Sequence, residues 1–358
     1  MASLPLYTIE LIDPTTRNVT ADISTICTTR NFSITRNRAE QVDLEMNLLV
    51  AERLARDLGV GFWGLFAAGV TEIRITRANR PLLISRLADA YPSMGASNSI
   101  QLKAMGILDS FGDRYLWPGD TLSYSATDVG QLAWNRITQT QNRSGGNLGI
   151  TLGAIQPSRA IDEDQQYWAR SIKDILVDYT NLSDSGDFEF TPDKQFNWYA
   201  PSMGRDLTDV IFEYPGNIAQ IGGRRDASQL VNQSVNRGKG NGNAQRQVSV
   251  SDANSYAVFG RHERISDYPS IDSEDLLTGY GNETLRTNSY PLVIPDITLQ
   301  SRTNPPLGEY WIGDRVKLAI PGRSSFGHLD GQMVRINEID VSVDNNDHET
   351  ISVKVSIL

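Results

Sequence analysis

Catalysis needs a nucleophile, a base or a set of metal ligands held close together, and this sequence supplies few candidates for any of them. Its three histidines, His262, His328 and His348, fall in turn-like surroundings with no metal-ligand spacing between them. Cys27 is the only cysteine and sits in the strand-like run Ile26-Cys27-Thr28 rather than at a helix N-terminus, where a thiol would ionise. It reads as a small buried hydrophobe. A single cysteine also excludes an internal disulfide framework and a zinc site built from several thiolates.

Two acidic clusters invite comparison with known chemistry. Asp162, Glu163 and Asp164 precede a helical pattern and are expected to charge a helix N-terminus. Asp344, Asp347 and Glu349 read as hairpin-turn residues, with a calcium site as the alternative. Any two of the 43 Asp and Glu could stand at a glycosidase separation, and spacing selects none of them. The stretch Arg237-Gly238-Lys239-Gly240-Asn241-Gly242 is glycine-rich like a phosphate-cradling loop, but it lacks the Gly-Lys-Ser/Thr ending. Together with Arg224, Arg225 and Arg246 it reads as a flexible basic loop facing an acidic neighbouring subunit, a local nucleic-acid contact being the alternative. Trp134, Trp168, Trp198 and Tyr199 could stack on sugar rings if exposed, although Trp168 falls on an apolar helical face. No catalytic, cofactor-binding or metal residue is therefore assigned, binding residues stay open, no cofactor is expected, and the chain is not expected to be an enzyme.

The elements that would position any site are short. Hydrophobic residues make up 39% of the 358 and charged residues 21%, with Asn, Thr, Ser and Gly between brief apolar runs, a mixture suited to many strands and turns. A chain of this length buries roughly three quarters of its unfolded surface without help from metals or disulfides. The net charge of -10 and pI near 4.9 disfavour a phosphate-neutralising surface over the whole chain. The N-terminus lacks the basic stretch and apolar core of a secretion signal, and the most apolar window, Gly59 to Val70, is too short to span a bilayer and is broken by four glycines. No direct membrane insertion is expected.

Period-two alternation predicts strands at Tyr7–Ile12, through Leu48 after an ambiguous start at Asn37, at Thr71–Ala78 with Leu82–Leu87, and at Ile100–Met105. Leu49–Leu58 reads as a short helix stopped by Gly59. The first 120 residues thus look like a small β-barrel with one helical insertion. From Ala126 the character changes: Trp134 lies in a polar segment, a loop follows at Gln141–Gly149, and Trp168, Ile172, Ile175, Leu176 and Tyr179 keep helical spacing. Phe188–Phe190 and Asn197–Tyr199 read as a strand pair, giving a small α/β unit over Ala126–Pro201. Arg205–Gln220 and Ala244–Ser251 read as strands around a loop-like Gly222–Asn243, and Asp272–Thr287 as a helix. Strands follow at Leu292–Leu299, Asp314–Ile320, Gly331–Val343 and Thr350–Leu358, the last two as a hairpin.

Several segments in this order resemble the tail hub or tail-associated minor tail proteins of long-tailed phages infecting actinobacteria, which are related in fold to the baseplate hub of contractile tails. The likeness rests on Ile34-Thr35-Arg36-Asn37-Arg38-Ala39-Glu40 before an alternating strand, the hairpin Val70 to Pro81, and Lys103-Ala104-Met105-Gly106-Ile107-Leu108-Asp109. Ser255-Tyr256-Ala257-Val258-Phe259-Gly260-Arg261 and Tyr310-Trp311-Ile312-Gly313-Asp314-Arg315-Val316 extend it over nearly the whole chain. The resemblance implies a mainly β chain with α/β insertions, made of two tail-tube-like barrels and two small α/β domains that close a ring as a homotrimer. The expected boundaries are 1–125 for the first barrel with its helix at about 49–58, 126–204 for an α/β domain, 205–255 with 311–358 for the second barrel, and 256–310 for the other insertion. It further implies a virion protein, made in the host cytoplasm and placed at the tail tip, that adapts a sixfold tube to a threefold tip. Its partners would be itself, the distal tail protein, the tail tube and tape measure proteins and other tail-tip proteins. Phage DNA would pass through an acidic lumen without specific binding. Relatives that continue beyond this point bind receptors or digest cell wall; with the chain ending on the hairpin that should close the second barrel, such activity is expected in another protein.

Overall fold

The computed structural model describes residues 6–37, 40–117, 119–164, 169–269, 271–300 and 304–357. Its first third holds strands β1 (Tyr7–Ile12), β2 (Val19–Asp22), β3 (Cys27–Thr35) and β4 (Gln41–Asn47), helices α1 (Leu48–Asp57) and α2 (Phe62–Leu65), then β5 (Glu72–Arg77), β6 (Arg80–Ser93) and β7 (Ser99–Gly106). Alternation sets these strands: in β4, Val42, Leu44 and Met46 are buried while Gln41, Asp43, Glu45 and Asn47 face out. The helical reading of this ambiguous stretch loses because Asn47 caps the next element. Its side chain accepts from the Leu49 and Val50 amides, so α1 starts at Leu48.

The middle contains β8 (Ser123–Asp128), α3 (Val129–Gln141), β9 (Thr151–Ile155), β10 (Ala160–Asp164), α4 (Ile172–Thr180), β11 (Asp187–Phe190) and β12 (Gln195–Tyr199). Two expectations change here. The polar segment around Trp134 is the helix α3, capped by Asp128, whose buried stripe of Val129, Leu132, Ala133 and Ile137 is interleaved with Gln, Asn and Thr. Asp162, Glu163 and Asp164 belong to β10, paired with β8, and do not open a helix; Ser171 caps α4 instead. Trp168 lies outside the described residues. Helix α3 presses so closely on β12 that a Cβ on Gly130 would stand 2.6 Å from the Trp198 ring.

The remainder comprises β13 (Asp206–Glu213), β14 (Ile218–Asp226), β15 (Gln233–Arg237), β16 (Gln247–Ser251), α5 (Ala253–Phe259), β17 (Glu263–Asp267), α6 (Glu274–Asn288), β18 (Leu292–Leu299), β19 (Arg315–Ala319), β20 (Met333–Val343) and β21 (Glu349–Ile357). The loop-like Gly222–Asn243 holds the end of β14 and all of β15. Strand β15 pairs with β16 on one side and β17 on the other as a separate three-stranded sheet, whereas β18 joins the large one. Strand pairing thus exchanges segments between the second barrel expected over 205–255 with 311–358 and the insertion expected over 256–310.

The protein is mainly β. Thirteen strands form one sheet in the order β14-β18-β21-β20-β3-β4-β7-β6-β5-β1-β2, with β19 attached to β20 and β13 to β19. Among the described residues its hydrogen-bonded path does not close on itself, so the pairing draws one open sheet and not two closed barrels. The long strand β20 joins the halves: Met333 to Arg335 pair with β19, a bulge follows Ile336, and Glu338 to Val343 pair with β3. The bulge resets the phase, so Val334 and Ile336 before it and Ile339, Val341 and Val343 after it all face the interior. One apolar core runs under the whole sheet from Tyr7 to Val355, and a second fills the α/β unit and the face of α6.

Candidate functional site

The residues singled out from sequence do not converge. His262, His328 and His348 are exposed; His262 Nε2 lies 3.2 Å from the Phe259 carbonyl and His348 Nδ1 3.3 Å from Asp344. Cys27 is buried, and burial pushes its thiol up to about 12. Of the suggested calcium ligands, Asp344 accepts the Asn346 and His348 amides of its own turn, Asp347 pairs with Arg30 at 2.7 Å, and Glu349 is a core residue. Arg77 grips Glu349 through two bonds of 2.9 and 2.6 Å and the Tyr7 hydroxyl donates at 2.6 Å, which ties β21 to β5 and β1. Among the described residues no group of His, Cys, Asp and Glu could hold a metal ion.

Two cations of the basic stretch are matched: Arg237 forms a two-bond pair with Asp267, and Arg246 reaches Asp272 and Glu274. Trp198 is fully buried, Trp134 stacks on Phe196, and the Tyr199 hydroxyl donates to Glu189, so the three do not form one exposed stacking platform. Of the acidic trio, Glu163 is wholly buried beside the equally buried Arg136 and accepts from the Tyr179 hydroxyl; Asp162 accepts from Ser125 and from the Ala126 amide.

Strand register does assemble a surface. Outward residues of β18, β21, β20, β3, β4, β7 and the far end of β6 lie in cross-strand rows on one face of the large sheet. One row runs Asp296, Lys354, Glu338, Thr35; the next Thr298, Ser352, Asp340, Ser33, Gln41, Met105; a third Thr350, Ser342, Asn31, Asp43, Lys103, Asp89; a fourth Thr29, Glu45, Gln101, Tyr91. The face is therefore hydroxyls, amides and carboxylates over about six strands, with apolar side chains only at the β7 and β6 end. It dips into a shallow groove of about 370 Å³ lined by Asn31, Ser33, Gln41, Asp43, Asp340 and Ser342 among others.

Its electrostatics are one-sided. Asp43, Glu45, Asp89, Asp296, Glu338 and Asp340 are set against Lys103, Lys354 and, opposite Met105 at the β6 end, Arg86, which lies 3.7 Å from Glu72. Lys354 is bonded to Glu338 and lies 3.7 Å from Asp340; Lys103 stands opposite Asp43 on one side and Asp89 on the other. Burial and then the neighbouring Glu338 raise the Asp340 carboxyl above its ordinary value. Alternating Ser, Thr, Asn and Asp along each strand were visible in the sequence, but which strands adjoin was not, and only adjacency turns separate polar edges into one face.

No protein-family model matches the sequence, and no curated protein is similar to it in sequence. Solved structures are similar in fold. The 43 kDa tail protein of prophage MuSo2 from Shewanella oneidensis has a TM-score of 0.66 at 11% identity, the match covering 98% of each chain. The tail protein from Neisseria meningitidis MC58 gives 0.64 at 10% identity over 98% of this chain and 96% of that one. The E. coli c3393 protein, a type VI secretion system component described as structurally similar to the T4 bacteriophage tail proteins gp27 and gp5, gives 0.52 at 8% identity over 93% and 74%. The chain has the fold of these phage tail and secretion-system proteins.

Proposed function

We propose that the chain is a structural, non-enzymatic tail protein: a hub-type minor tail protein at the tip of a phage, assembling as a homotrimer whose subunits each present two tube-like halves around a channel. The observation that carries this is the polar, acidic sheet face. DNA held by a protein is held by cations that neutralise its phosphates and release counterions, so a lumen whose carboxylates outnumber its cations offers little to stick to. Hydroxyl and amide rows keep such a wall hydrated. The fold shared with phage tail proteins over nearly the full chain supports the reading, as does the likeness of the E. coli protein to T4 tail components. The partners would be further copies of the chain and the adjoining tail tube, distal tail, tape measure and tail-tip proteins; the location would be the virion.

Light scattering of the purified chain, followed by negative-stain imaging, tests it: a particle of three times 39.7 kDa with a central hole is expected. A second reading, sugar binding at the tip, is favoured only by the exposed pair Tyr115 and Trp117, whose rings lie 6.0 Å apart. A monomer that binds labelled cell-wall polysaccharide would overturn the first reading in favour of the second.

A further inference from the structure

We infer that one water molecule is built into the seam between the large sheet and the α/β unit, held by Glu72, Arg86 and Lys194 as a fixed part of the fold. Glu72 and Arg86 stand directly opposite each other on β5 and β6, so both side chains leave the same face of the sheet. Lys194, in the turn between β11 and β12, reaches across to Glu72 and also donates to the Leu148 carbonyl at 3.2 Å. Lys194 and Glu72 are buried, and the Arg86 side chain is 28% exposed. Both cations address the same oxygen. Lys194 Nζ bonds Glu72 Oε1 and Arg86 Nη2 lies 3.7 Å from it, while Glu72 Oε2 and Arg86 Nε are buried with no hydrogen-bond partner among the described residues.

A carboxylate oxygen and a guanidinium N–H shut away from solvent lose their hydration with nothing in return unless something bonds them. Beside them lies a void of about 10 Å³, lined by Glu72, Arg86, Lys194, Leu148 and Ser110 among others. That is the room a single water needs. The donor and acceptor pattern then selects the ligand, because Glu72 Oε2 needs a donor and Arg86 Nε needs an acceptor. A metal cation would serve the carboxylate, leave the N–H unmet and sit against two positive side chains. A halide would accept from Arg86 but face the Glu72 oxygen. Water does both, and the third N–H of Lys194 or the Ser110 hydroxyl completes the about three bonds usual for a buried water. So placed, it works beside the direct Lys194–Glu72 pair and the Arg17 bond to the Gly149 carbonyl, 2.7 Å long, in fixing the α/β unit on β5 and β6.

A crystal structure of the whole chain, at a resolution that orders solvent and grown in bromide so that a halide declares itself by its anomalous signal, tests the inference. One full peak within about 3.2 Å of Glu72 Oε2 and Arg86 Nε, with no anomalous signal, is expected. An empty void or a bromide peak overturns it. In solution, magnetic relaxation dispersion of the solvent counts the waters that stay longer than the protein takes to tumble. Combining Glu72→Met with Lys194→Met makes the wall apolar and frees Arg86 to turn outward, and an apolar void stays dry, so the count should fall by one per chain. An unchanged count overturns the inference equally. Should the double variant fail to fold, the wild-type crystal decides alone.

Discussion

In the large sheet, eleven buried apolar positions on β4, β20 and β21 repeat the same alternating choice, and register follows from the repetition. In the α/β unit, a single ion pair stands in the middle of the core: Arg136 and Glu163 are both wholly buried, with Tyr124 4.9 Å over the guanidinium and Tyr179 donating to the carboxylate. The sheet spreads most of its specificity over many interchangeable contacts, with one buried ion pair of its own between Arg77 and Glu349. The α/β unit concentrates it in a few charges that must be made together, because one without the other leaves an uncompensated ion away from water.

That contrast predicts a graded set of responses. The largest is Glu163→Ala, which should cost about 3–5 kcal/mol in chemical denaturation, with much of the loss recovered when Arg136→Met is added. Full additivity of the two substitutions would break the comparison. Next comes Asp187→Ala at the junction of the sheet and the α/β unit, expected to cost about 2–3 kcal/mol after discounting the part-exposed Arg36. Burial alone would raise the Asp187 carboxyl, but Arg36 and Arg335 hold it below its ordinary value. Its contribution is thus present above pH 3.8 and lost as pH falls through the folded value, so the wild type and the variant should converge in stability at acid pH. Ile339→Val in the sheet core should cost about 1 kcal/mol, one methylene among many. Smallest of all, Asp340→Asn on the polar face should change the melting free energy by less than about 0.5 kcal/mol. A larger loss there would mean that the face is structural.

The same contrast explains what could be read from the sequence. Strands such as Tyr7–Ile12 and Leu292–Leu299, the helix near Leu49–Leu58 and the final hairpin were legible because alternation and capping are local. Helix α3 was hidden because Gln131, Asn135, Thr138 and Gln139 dilute its apolar stripe. Glu163 was misassigned because three acidic residues before an apolar periodicity look like helix N-terminal charge, and nothing local points to Arg136, 27 positions earlier. The junction was invisible for the same reason: Arg36, Asp187 and Arg335 meet from three distant parts of the chain. The polar face lies between these cases, since its residues were readable strand by strand but its rows exist only once β20 is known to lie between β21 and β3.

The central claim is that this face lines a channel, and a cryo-electron-microscopy reconstruction of the assembled particle tests it most directly. The account predicts a threefold ring with Asn31, Asp43, Asp340 and Ser342 turned toward the axis and the α/β unit away from it. A ring in which that face is buried between subunits or turned outward would contradict it.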